Sequence, residues 1–365
     1  MRRLISFRDF DWLLLTFILL ICALGVLEIY STTYGTKFAG AHIRQVYWIL
    51  AGLGVMLVVS MVNYQILLEN SRWLYAASIL SLLAVAIFGK KYLGARRWIL
   101  LPGGQHFQPS EWVKLVLILM LAKYFSAQGE REDASLADIV KAGLIAGIPM
   151  LLVLKQPDLG TALTYVPVAL MGLFLGGIQV KHAAVILVFA GLLMPGVWHY
   201  GLKPYQKDRL TNFLHPEADS QKTGYQLEQS KIAVGSGGIW GKGIGKGTQT
   251  QGSFLPEPHT DFIFAAWSEE HGFVGALALL LLYFLVLMRL IHNAQTAPDS
   301  AGGFVVMGVV AVLLFHILVN AGMVVGYMPV TGIPLPLMSY GGSSVLFMFL
   351  ALGIVMNIRM RRFVN

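Results

Sequence analysis

Apolar runs close to the length of a bilayer crossing, about 20 residues, recur along this chain between short polar stretches. Ten are legible: Trp12–Tyr30, Val46–Val62, Trp73–Phe88, Glu111–Phe125, Ile139–Leu154, Leu159–Gly176, Ala183–Trp198, Phe262–Leu290, Phe304–Tyr327 and Ser343–Ile358. They predict an all-α polytopic membrane protein with one integral domain over residues 1–365. Several runs are short for a bilayer core, which predicts tilted, half-buried or locally thinned segments. One interval breaks the rhythm. Residues 199–261 form a long polar loop, and its later part, Gly224 to Phe264, is rich in glycine and lysine. That stretch ends in Asp261, at the lip of a strongly apolar helix.

Composition supports the same class. Hydrophobic residues make up 56% of the chain and charged residues only 13%, with a mean hydropathy of +0.67. A soluble domain carries about 25% charged residues, so a string of soluble domains is excluded. The single cysteine, Cys22, lies in the first apolar run and has no partner for an intramolecular disulfide. The N-terminus resembles a signal peptide, but its apolar run continues to Ile29 without an A-x-A pattern, so it reads as a retained first span.

Charge sets the expected orientation. An even number of spans puts both termini on one side, and Arg2, Arg3, Arg8, Arg359, Arg361 and Arg362 flank those ends. That side is therefore predicted to be cytoplasmic. Of the 27 Lys and Arg, eleven fall on it, against seven in the short loops opposite. With this orientation the long loop is extracytoplasmic. Glu111, Asp158 and Asp261 each open an even-numbered span, so the three carboxylates gather on the outer face.

Each candidate group has a plain reading beside a chemical one. Asp261, in Pro-Glu-Pro-His259-Thr-Asp, is well placed to cap a helix, or to act as a general base at the water–lipid boundary. Asp158, after a proline, reads either as a helix cap or as a mark of a substrate path at the end of an intramembrane helix. Glu111 and Lys114 share one helical face at i,i+3 spacing, and Lys114 leads into an aliphatic run, where an ammonium needs a partner or must snorkel. Arg96, Arg97 and Trp98 read as an interfacial anchor or an anion site. Glu269, Glu270 and His271 lie inside a predicted span, where ionisable groups either pack helices or serve function. The glycines between 235 and 247 fit neither a Walker A nor a dinucleotide pattern. A flexible loop or an anion nest remains open for them. The histidines are too scattered for a zinc-type cluster. The run from Pro329 to Ser343 cannot be helical throughout and reads as the wall of an outer cavity.

Taken together, FQPSEWVK (from Phe107), QPDLGTAL (from Gln156), GYQLEQSKIAVGSGG (from Gly224), GKGIGKGTQ (from Gly241), LPEPHTDFIFA (from Leu255) and PLPLMSYGGSS (from Pro334) resemble the SEDS family (shape, elongation, division and sporulation). The resemblance covers essentially the whole chain and is nearer the elongation branch than the division branch. It implies a peptidoglycan glycosyltransferase that polymerises lipid II on the outer face of the bacterial inner membrane. It also implies a class B penicillin-binding protein as crosslinking partner, beside other membrane proteins of the elongation complex, with no nucleic acid. The family's essential acid corresponds to Asp261, its intramembrane pair to Glu111 and Lys114, its QPD aspartate to Asp158 and its G-x-R-W basic residue to Arg97. Supporting roles toward the substrate are expected for Lys231, Lys242, His259 and Ser343. No cofactor is required by the resemblance; a divalent cation, magnesium or manganese, stays open. Two other readings also stay open: a lipid II flippase and a non-catalytic scaffold of the cell-wall machinery. Against the flippase, the two halves show no paired interrupted segments of the kind transporters carry.

Overall fold

The computed structural model describes residues 9–92, 95–100, 106–128, 134–214 and 223–362. Arg2, Arg3 and Arg8, used above for orientation, lie outside them. The described chain is mostly helical: α1 (Trp12–Thr33), α2 (Ala41–Met61), α3 (Tyr64–Glu69), α4 (Ser71–Phe88), α5 (Pro109–Ser126), α6 (Leu136–Lys155), α7 (Leu159–Leu163), α8 (Tyr165–Leu175), α9 (Val180–Gly196), α10 (Pro204–Leu214), α11 (Thr223–Ser236), α12 (Thr248–Gln251), α13 (Ile263–Gln295), α14 (Ser300–Val325) and α15 (Gly342–Met360). Seven of them, α1, α2, α4, α6, α13, α14 and α15, are long and apolar enough to cross a membrane.

Burial sorts these helices into a centre and a rim. α14 and α15 bury about two thirds or more of their apolar windows (67% and 72%), whereas α4 and α6 bury 22% and 28%. α5 belongs to the centre. Its residues are buried on every side, Glu111 and Lys114 among them. A helix surrounded by protein does not need the uniformly apolar surface that lipid demands. At one end of the bundle Asp11 accepts from Arg289 and Asn293, both at 2.9 Å, and pairs with Arg359 at 3.0 Å. The start of α1 and the end of α15 therefore share that end.

Two local features depart from the sequence reading. First, the link between α4 and α5 is not helical, and the fold is not strictly all-α. β1 (Lys90–Tyr92), β2 (Ala95–Leu100) and β3 (His106–Phe107) form a small antiparallel sheet in the order β1-β2-β3. Lys90 pairs with Trp98 and Ile99 with Phe107. The Trp-Ile-Leu run suits a strand, and pairing gives its backbone hydrogen bonds where the chain leaves the helices.

Second, the predicted span Phe262–Leu290 is not one straight helix. α13 breaks at Gly272, with φ 66° and ψ −165°. The Trp267 indole donates to the Gly275 carbonyl at 2.9 Å, although eight residues of straight helix would separate them by about 12 Å. A short arm, 263–271, thus folds back against a long arm, 273–295. The glycine-rich segment fills the break. Lys242 and Gly243 N–H donate to the Glu269 and Glu270 carbonyls at 3.1 and 2.9 Å, and Phe273 and Val274 N–H donate to Gly238 and Ile239 carbonyls at 2.9 and 3.1 Å. A Cβ on Gly241 would lie 2.2 Å from the Glu270 carbonyl oxygen, and one on Gly272 would lie 2.3 Å from the Gly241 nitrogen. The glycines are there for close backbone contact, and the segment is pinned rather than loose.

Candidate active site

Residues 329–341 enter the bundle without forming a helix. A Cβ on Gly25 would sit 2.6 Å from the Met338 carbonyl oxygen. Gly25 is eight residues from the Thr33 end of α1, about 12 Å down the helix. The Tyr283 hydroxyl donates to the Pro336 carbonyl at 2.6 Å. Irregular backbone at such depth must be held by protein, and here neighbouring side chains hold it.

The turn carrying Asp261 lies on this segment. Three successive carbonyls are clamped: His259 accepts from Tyr340 N–H at 2.9 Å, Thr260 from the Ser339 hydroxyl at 2.7 Å, and Asp261 from the Asn320 amide at 2.9 Å. The carboxylate itself is left unengaged. It is half-buried, and among the described residues it accepts no hydrogen bond; α13 is capped at Phe262 with no side-chain bond. Asp261 is therefore not the helix cap that its position suggested. Burial pushes its carboxyl up to about 6, with Glu257 adding to the rise and Arg209 opposing it.

Asp158 resolves the opposite way. It caps α7 by accepting from Thr161 N–H at 3.2 Å, and it also takes the Thr161 hydroxyl at 3.0 Å and the Gln108 amide at 2.8 Å. Arg97 stands 3.8 Å from it and donates to the carbonyls of Gln156 and Pro157. Arg97 thus braces the turn before α7 and keeps 30% of its side chain open. Lys114 is fully buried. Its ammonium lies 2.9 Å from Glu111, 3.4 Å from His316 Nε2 and 4.4 Å from the centre of the Phe347 ring. It has partners and does not snorkel. His316 Nδ1 is 3.2 Å from the Pro334 carbonyl.

These groups meet along four consecutive residues. Arg209 donates to the Thr331 carbonyl at 3.0 Å, and a Cβ on Gly332 would be 3.3 Å from Asp261 Oδ2. Asn320 donates to the Ile333 carbonyl at 2.8 Å, and His316 reaches Pro334. α7 joins them, since a Cβ on Gly160 would be 2.7 Å from the Thr331 carbonyl oxygen. Residues 331–334 therefore tie Asp261, Asp158, Arg97, Glu111 and Lys114 into one assembly.

The remaining predicted residues are placed differently. Lys242 is bound to Glu269, about two helical turns along the short arm from Asp261, so its charge is already matched. Lys231 lies over Gly326 at the C-terminal cap of α14, where a cation suits the helix dipole. His259 is buried between Phe38 and Tyr340, with ring centroids at 4.6 and 5.8 Å. Burial pushes its pKa down; Glu257 opposes the drop and Arg44 adds to it. Ser343 sits half-buried in the first turn of α15. Arg209, Asn320 and His316 were missed. For the last two a signal existed: two polar residues four apart on one face of the apolar α14. Among the described residues, no three His, Cys, Asp or Glu side chains gather to hold a metal ion.

Residues 11–363 match the family of FtsW, RodA and SpoVE, described as cell cycle proteins. The chain belongs to this family. It is 40% identical over 319 residues to the peptidoglycan glycosyltransferase MrdB of Escherichia coli K12, covering 87% of this chain and 85% of that protein. It is 34% identical to the peptidoglycan glycosyltransferase RodA of Treponema pallidum, over 99% of this chain and all of the relative (100%). Among solved structures it resembles a chain from work on the coordination of polymerisation and crosslinking by a peptidoglycan synthase complex, with TM-score 0.83 and 34% identity over 98% and 99% of the two chains. It also resembles the rod shape determining protein RodA of Thermus thermophilus, with TM-score 0.73 and 30% identity over 98% of each chain.

Proposed function

We propose that this chain is the peptidoglycan glycosyltransferase of cell elongation, joining lipid II disaccharides into glycan strands. The observation that carries the mechanism is the Asp261 carboxylate, without a hydrogen-bond partner among the described residues, in a turn clamped at three carbonyls. In the reaction the Asp261 carboxylate takes the proton from the 4-hydroxyl of a lipid II GlcNAc. The freed oxygen attacks C1 of the MurNAc at the lipid-linked end of the growing strand, on the face opposite the leaving group. The C1–oxygen bond to the pyrophosphate breaks, its electron pair leaves with undecaprenyl pyrophosphate, and the configuration at C1 inverts. Positive charge stabilises the departing pyrophosphate; Arg209, bonded to Thr331, and Arg97, beside Asp158, are the candidates. Lys114, buried behind it, supports the segment through His316.

Ten spans, with both termini cytoplasmic and the site on the outer face of the inner membrane, fit this reading. The basic residues Arg359, Arg361 and Arg362 at the end of α15 support that orientation. A class B penicillin-binding protein is the expected partner, in keeping with the synthase complex that the chain resembles. The test supplies labelled lipid II to the purified protein and its partner, with and without magnesium or manganese. The wild-type protein forms glycan strands and folded Asp261→Asn does not. Full polymerisation by that variant overturns the assignment.

A further inference from the structure

The glycine-rich segment also presents an apolar outer surface that the polymerase reaction does not use. Ile239 is 63% exposed, Trp240 79% and Ile244 50%. Several polar groups of the same turn face inward. The Lys242 ammonium is folded onto Glu269, the Gly245 N–H donates to the Ser31 hydroxyl at 3.0 Å, and other backbone groups are paired across the break in α13. Lipid-exposed irregular backbone is excluded from the hydrocarbon core, so a turn with polar groups paired on one side and apolar side chains turned away suits the membrane interface.

The exposed surface is also continuous with one that faces lipid. Ile239 is backbone-bonded to Val274. From there Phe273, Val274, Leu277 and Leu281 are exposed down the long arm of α13, a helix apolar enough to cross a membrane. We propose that residues 237–245 are seated in the bilayer, with Ile239, Trp240 and Ile244 inserted among the lipids at the end of the bundle that holds Asp261. A tryptophan at headgroup level and a neighbouring lysine, the exposed Lys246, able to reach the phosphates, suit this position. The segment read from sequence as a flexible loop or an anion nest is then a membrane anchor. It sets the depth of the short arm of α13.

The test uses the full-length protein in phosphatidylethanolamine–phosphatidylglycerol vesicles whose acyl chains carry bromine near the headgroup. The chain has eight tryptophans, so the Trp240 signal is read as wild type minus Trp240→Phe. The proposal expects that difference signal to lose most of its intensity in brominated vesicles and little of it to iodide in the buffer. Quenching by iodide and not by bromine places the ring in water and overturns the proposal. Quenching by neither means that protein covers it, and overturns the proposal too. Ile239→Lys gives a second reading: cysteines placed singly at the exposed positions 244 and 246 react with a water-soluble maleimide faster in that background if the turn is lifted from lipid. Unchanged labelling there counts against insertion.

Discussion

Lys242 Nζ lies 2.8 Å from Glu269 Oε1, in an ion pair whose carboxylate is fully buried. The same carboxylate accepts the N–H groups of Gln249 and Thr250 at 2.9 and 3.1 Å and the Thr250 hydroxyl at 2.8 Å. Glu269 therefore anchors α12 and the glycine-rich segment to the short arm of α13. Glu269→Ala orphans several donors at once and is expected to cost about 3–5 kcal/mol. Lys242→Met leaves the backbone donors in place and costs less, about 1–3 kcal/mol. Thermal unfolding in detergent checks the ranking. Hydrogen exchange should rise at residues 237–251 before it rises in α14.

Asn320 makes a second testable brace. Its amide donates to both Asp261 and Ile333 carbonyls, so it sets the spacing between the acid and the segment beside it. Asn320→Leu leaves two carbonyls unpaired, at about 1–3 kcal/mol each. Displacement of a reacting group by about 1 Å can lower a rate by about 10². The expected result is a fall in kcat with KM for lipid II little changed. A rise in KM alone would mean that Asn320 serves binding and not the placement of Asp261.

What could be read from the sequence depended on distance along the chain. The Glu111–Lys114 pair was legible because its members stand three positions apart on one helix. Its third partner, His316, lies on α14, and only folding brings it to 3.4 Å. Asp158 and Asp261 looked alike, each placed just before an apolar helix. Capping depends on whether the carboxylate meets the first free N–H groups, which Asp158 does and Asp261 does not. The apolar runs predicted the helices well, because lipid and core both select for them. The break at Gly272 was hidden, since Ile263–Trp267 and Phe273–Met288 are both apolar and only Ser268–Gly272 stand between them. Lys242 suggested an anion site because its buried acidic partner, Glu269, belongs to another element.

The Glu111–Lys114 pair allows a test that separates folding from function. Removing one member of a buried pair strands the other charge, at about 3–5 kcal/mol, whereas replacing both with apolar residues of similar size is often neutral. Glu111→Leu and Lys114→Met alone should therefore each lower the melting temperature sharply. Together they should restore it. The double variant still lacks the ammonium that meets His316, the residue bonded to Pro334. Its lipid II polymerisation is expected to stay well below wild type. Full activity in the double variant would leave the pair a purely structural role.

With the Asp261 carboxyl pushed up to about 6, the proposed role as base predicts a pH dependence. A general base works ionised, so polymerisation should rise with pH through about 6 and then level. Glu257 raises this pKa and Arg209 lowers it. Glu257→Gln should therefore move the acidic limb to lower pH, and Arg209→Gln should move it higher. Stability carries the opposite sign. The folded carboxyl holds its proton above the ordinary value of 3.8. Its contribution is fully present below that value and is lost as pH rises through about 6. At neutral pH Asp261→Asn should melt at or above the wild-type temperature while its rate falls by about 10²–10⁴. Rates measured across the limb in wild type and Glu257→Gln decide the matter. A profile that Glu257→Gln leaves in place would remove Asp261 as the titrating base.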